Sequence, residues 1–172
     1  MKAKAIRVVP LVFLLLLVGT LSVVQFIGAN ASSGRNFVAH LSAASGVFTH
    51  ATGEAIFHLS PDGSTLSYKL IDANINNVFM AHIHLVSTGG IVVWLFPSAT
   101  PDLTCLSSPA SCEIPGRFDG VLAQGTITAG DLTGSLSGMT MSDLVAQIES
   151  GNTYVNVHTI QNPGGEIQGI IH

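Results

Sequence analysis

The residues best suited to chemistry in this chain are three of its seven histidines. Two lie in Met80-Ala81-His82-Ile83-His84-Leu85 and one in Tyr154-Val155-Asn156-Val157-His158-Thr159. Along a strand, side chains alternate between faces. His82 and His84 therefore share a face, as do Tyr154, Asn156 and His158. If the two strands meet, three imidazoles converge on one spot. Neutral imidazoles suit copper or zinc, leaving a fourth position for water or a carboxylate. Glu166, in the segment that returns beside His158, is the candidate carboxylate.

A second reading stays open on the same residues. A buried histidine in a sheet commonly bonds to a backbone carbonyl or a polar neighbour, and Asn156, Thr159 and Glu166 are obvious partners. In that case the cluster specifies strand register and binds nothing. His40, His50 and His58 read as surface or edge residues, and His172, the terminal residue, either joins a metal site or frays. Enzyme classes fare poorly. A copper-zinc dismutase site needs more histidines and an Asp around a bridging imidazole. A cupin needs a Glu soon after its H-x-H, whereas the next acid after His84 is Asp102. No serine sits in a G-x-S-x-G elbow. Trp94 lies inside an apolar run and reads as core.

The elements that must position these residues are short strands. Asn36–Ser42 and Gly53–Leu59 alternate apolar and polar residues. Ser60-Pro61-Asp62-Gly63-Ser64 predicts a tight reversal, with Leu66–Ile71 as the returning arm. Asn74–Asn77 reads as another turn before Val78–Val86. The unbroken apolar run Ile91–Phe96 suits a strand buried on both faces. Residues 97–115 read as irregular, and Gly120–Thr128 alternates again. One helix is predicted, capped by Thr140 with Asp143 three residues on, striped by Leu144, Val145 and Ile148, and ended by Gly151. Tyr154–Ile160 and Glu166–Ile171 form the closing pair. The sum is an all-β domain: an antiparallel sandwich or barrel of about eight strands with one short helix.

Residues 1–31 read as a signal peptide. Lys2, Lys4 and Arg7 precede an apolar run through Ile27, and Ala29-Asn30-Ala31 fits a cleavage site. The alternative is an uncleaved N-terminal anchor. Either leaves residues 32–172 as a secreted or cell-surface domain. That domain keeps only Arg35, Lys69 and Arg117 as permanent cations against ten carboxylates. Such a balance argues against nucleic acid and anionic lipid as partners. Cys105 and Cys112, the only cysteines, read as a disulfide closing a small loop in an exported chain.

The order of motifs is informative. Gly53-Glu54-Ala55, Leu66-Ser67-Tyr68, Ala81-His82-Ile83-His84, Gly125-Thr126-Ile127-Thr128, Tyr154–Thr159 and Pro163-Gly164-Gly165-Glu166-Ile167-Gln168-Gly169 follow one another. In this the chain resembles CHRD domains, named for chordin and also found in exported prokaryotic proteins. Gln168 stands where that family often has Arg, and the segment after His84 is shorter. The resemblance implies an extracellular β-domain and no particular activity. The expected function is thus a non-catalytic binding or structural module with a histidine cluster that takes copper or zinc or serves as a core network. Its partners would be extracellular proteins or further copies joined through edge strands. The rival is a copper- or zinc-binding protein with redox or dismutase-like activity.

Overall fold

The alternating segments form strands, and every pairing among them is antiparallel. The computed structural model describes residues 34–97 and 103–172, so the proposed signal peptide lies outside them. The strands are β1 (Asn36–Ala43), β2 (Thr52–Leu59), β3 (Leu66–Leu85), β4 (Ile91–Phe96), β5 (Ile114–Ile127), β6 (Thr153–Thr159) and β7 (Ile167–Ile170). Among the described residues, two short α-helices, α1 (Leu103–Ser107) and α2 (Met141–Glu149), and three single turns of 3-10 helix complete the regular structure.

Strands β2, β1, β7, β6 and β3 pair in that order, and β3 pairs back with β2. This closes a five-stranded barrel, the solution that leaves no open edge in the ring. The all-β expectation therefore holds, in its barrel form. Strands β4 and β5 add to β3 from outside the ring. The barrel is filled by the inward phase of each strand, including Ala39, Phe57, Leu70, Ile83, Val157 and Ile167, all fully buried.

Two details differ from the sequence reading. Leu66–Ile71 and Val78–Val86 belong to one strand, so the described residues hold seven strands rather than about eight. The expected turn at Asn74–Asn77 is absorbed as a kink. Asn74 and Asn77 take φ of 57° and 54°, a conformation that Asn tolerates better than most residues. Asp119 accepts from the Asn74 amide, and Asn77 accepts from the Gly116 amide. The chain thus bends without losing its direction. The second difference is α1, a single turn of helix within the stretch read as irregular.

The predicted helix is α2. Thr140 and Asp143 form the reciprocal cap, and Met141, Leu144, Val145 and Ile148 pack into the main core. Each such side chain contributes roughly 1.5–3 kcal/mol through burial. The predicted reversal at 60–64 is also present, held by Asp62 accepting from Ser60 and Ser64.

Candidate metal centre

Strand β3 and strand β6 bring the three histidines together. In register, Met80 faces His158, His82 faces Asn156, and His84 faces Tyr154. Ala81, Ile83, Val155 and Val157 fill the barrel, so the intervening histidines point to its outer wall. They are not in water there. His82, His84 and His158 are 0%, 7% and 6% exposed. Trp94 of β4 is the register partner of His82 on its other side. Its ring stands at 4.4 Å from the imidazole, near perpendicular. Tyr154 stacks on His84 at 5.0 Å. Trp94 belongs to a small second core with Phe79, Met80 and Cys105, outside the barrel. The expected disulfide, Cys105–Cys112, is formed and contributes to that core.

The hydrogen bonds fix which nitrogens are available. His158 Nδ1 lies 2.9 Å from the Pro163 carbonyl, and His84 Nδ1 lies 3.0 Å from the Gly89 carbonyl. A carbonyl only accepts, so each Nδ1 carries the proton and each Nε2 presents a lone pair. His82 Nδ1 lies 3.2 Å from His158 Nε2, and without a metal it must donate that bond. One ligand atom from each ring lies within 4.8 Å of the other two. Two nitrogens bound to one zinc at about 2.0–2.1 Å stand roughly 3.3 Å apart at a tetrahedral angle. The His82–His158 spacing is already close to that value. Anchoring of the far nitrogen by a backbone carbonyl is also what orients a ligating imidazole in a metal site.

Burial keeps the rings neutral, the form that binds metal. It depresses His82 to about 2, with repulsion from His158 and His84 adding to the effect. It depresses His158 to about 4 despite the opposing bond to Pro163, and lowers His84 despite the bond to Gly89. Two nitrogens, His82 Nε2 and His84 Nε2, are buried with no hydrogen-bond partner, and so is Asn156 Oδ1. Such atoms are costly unless something completes them.

Glu166 is not brought into the cluster. It is buried, but Thr159 Oγ1 donates to it at 2.6 Å, Thr49 Oγ1 at 2.7 Å and Asn162 Nδ2 at 3.0 Å. Thr159 follows His158 in β6, so its side chain projects from the opposite face. Glu166 thus closes one end of the barrel. Of the partners proposed for a structural network, Thr159 bonds Glu166, and Asn156 donates to the Gly164 carbonyl. His40, His50 and His58 are exposed, as expected, and His172 is exposed too and stands outside the histidine cluster.

The model of the CHRD domain matches residues 37–171. The chain belongs to the CHRD domain family. No curated protein and no solved structure matches it. In this CHRD domain, the motif Asn162-Pro163-Gly164-Gly165-Glu166 has a local explanation. One turn supplies the carbonyl that orients His158, the carbonyl that holds Asn156 and the acid that closes the barrel end. Gly165 has φ of 117°, and a Cβ there would run into the Asn156 amide. The sequence reading missed Asp72. Its carboxylate is 1% exposed, and neither oxygen has a partner. The available signal was an acid in phase with the core residues Leu66, Tyr68 and Leu70.

Proposed function

We propose that this CHRD domain is an extracytoplasmic binding or structural module that carries one copper or zinc ion on His82, His84 and His158. The observation behind this reading is the convergence of three neutral imidazoles, two of them aimed by backbone carbonyls, with ligand atoms within 4.8 Å of one another. A register-specifying network would spend its nitrogens on partners, yet His84 Nε2, the lone-pair nitrogen of a ring already anchored through Nδ1, has none. Burial favours a stably held ion over dismutase-like turnover, because an outside substrate has no open approach to rings this covered. Association with other proteins or copies would use β5, which pairs only with β3 among the described strands; β4 is covered, with Thr133 N–H donating to the Val92 carbonyl and the Tyr68 hydroxyl to that of Leu95. Export rests on residues 1–31, and the mass of secreted protein, compared with that expected after removal through Ala31, tests it.

The metal reading is tested by the metal content of protein purified without a histidine tag, beside His82→Ala and His158→Ala. Stoichiometric copper or zinc, lost in both variants, supports it. A metal-free wild type that stays empty on titration, with both variants merely destabilised, overturns it in favour of the structural network.

A further inference from the structure

We propose that Met80 supplies a thioether as the fourth donor of this site, and that the resulting three-imidazole, one-sulfur set selects copper in its cuprous state. The proposal rests on the reading that the three histidines bind a metal, and it names which one.

The argument begins with placement. Met80, His82 and His84 occupy alternate positions of β3 and face the same way. Register between β3 and β6 shifts between Val78 and Met80. Phe79 is the extra residue at that bulge, and it leaves Val78 in the barrel core while Phe79 and Met80 both turn outward. Met80 is the direct partner of His158, which sets their Cβ atoms about 4.5–5.5 Å apart. It is 4% exposed. It packs in the small outer core with Trp94 and Phe79, and these two rings are the ones that meet His82 and His158. The thioether therefore belongs to the wall of the histidine cluster. A methionine side chain has three rotatable bonds and can turn its sulfur toward a guest without moving the strand.

The chemistry then discriminates between metals. Imidazole serves both copper and zinc, whereas a thioether is soft and favours Cu(I). The one carboxylate expected nearby, Glu166, is held on the other face of β6 by three donors. All four donors are thus neutral, and the full charge of the ion stays in a buried place. The cost of burying charge rises with its square, so a monovalent ion fits this donor set better than a divalent one.

The test uses the tag-free protein and its Met80→Leu variant, which conserves volume and removes the sulfur. Cu(I) affinity is measured without oxygen against a coloured cuprous chelator, zinc affinity against a zinc dye, and the copper environment by X-ray absorption. The expected result is a sulfur neighbour to copper in the wild type that is absent in Met80→Leu. Cu(I) affinity should fall about tenfold or more while zinc affinity stays within about twofold. A wild-type spectrum with nitrogen neighbours only overturns the proposal, even if Met80→Leu folds poorly. Equal Cu(I) affinity in the two proteins, with His82→Ala losing the metal, also overturns it and leaves the histidine reading standing. Equal losses of both metals in Met80→Leu assign Met80 a packing role and overturn it too. A wild type that takes up neither metal removes the underlying reading along with it.

Discussion

Strand β3 buries polar groups on both of its faces, and the two sets are treated differently. On the outer face, His82 and His84 sit against His158, and the Nδ1 of each ring has an acceptor. On the inner face, Asp72 sits in line with Leu66, Tyr68 and Leu70, and neither of its oxygens has a partner. Its register neighbours are Gly53 and Gly120, and a Cβ on Gly53 would meet the carboxylate. The fold makes room for Asp72 and offers it nothing. Burial alone raises it from 3.8 to about 7. Partial satisfaction that leaves ligand atoms of three neutral rings within 4.8 Å of one another is an arrangement able to hold a cation. Complete isolation is an arrangement that keeps a proton.

The contrast predicts opposite responses to pH in metal-free protein. Folded His82 and His158 resist protonation, while the unfolded chain takes up protons below about 6.5. Their contribution is complete above that value and is lost as pH falls below it. The depression of His158 to about 4 alone corresponds to on the order of 3 kcal/mol, and His82 adds in the same direction. Denaturation with urea between pH 7 and pH 4, carried out on Asp72→Asn so that the opposing carboxyl is absent, measures this, and a flat profile in that variant would remove the contrast. Saturating metal should deepen the dependence, since protons then compete with the ion.

Asp72 has the reverse sign. The unfolded carboxyl loses its proton above about 3.8, while the folded one holds it to about 7. Stability therefore declines as pH rises through that interval, by on the order of 4 kcal/mol in total. Asp72→Asn should abolish that decline, leaving the variant more stable than wild type at pH 8 and with unchanged metal affinity. Equal urea midpoints at pH 8 would show that the acid has found a partner.

Glu166 sharpens the comparison from a third side. It is as buried as the histidines but fully partnered. Glu166→Leu strands the hydroxyls of Thr49 and Thr159 and the amide of Asn162, at about 3 kcal/mol in all. A thermal melt reads this loss. Metal affinity in the folded variant should change little, because the carboxylate lies on the other face of β6. Gly165→Ala should cost about 2 kcal/mol for its positive φ. Unlike Glu166→Leu it should also weaken metal binding, because a Cβ there presses on Asn156 of β6 and displaces the turn that supplies the Pro163 carbonyl to His158.

The part of this site that follows period-two alternation was legible from sequence. His82 and His84 share a face, and His158 joins them, because alternation is local and Ala81, Ile83, Val155 and Val157 mark the inward phase. Helix α2 was legible for a similar reason, since its cap lies within four residues. The kink at Asn74–Asn77 was not. Asparagine marks turns and tolerated left-handed positions alike, and it takes long-range pairing, through Asp119 and Gly116 and through the Ile75–Phe118 and Asn76–Arg117 register, to keep β3 continuous. The side on which Glu166 falls was also hidden. It depends on Thr49, distant in sequence, and on the turn that delivers the acid past His158. Asp72 was in view, but the room it occupies comes from Gly53 in a strand whose pairing had to be known first.

The stretch of β3 that carries His82 and His84 is hydrogen-bonded on both edges, to β4 and to β6. Ligands on a terminal strand or loop release an ion whenever that segment frays. His84 and His158 lie next to the ends of β3 and β6, but His82 lies inside its strand, and its release must wait for a wider rupture of the barrel wall. Residence time should then track the rate of that rupture and vary little with the concentration of a chelator. An ion taken up by this domain would be held on a kinetic clock set by folding.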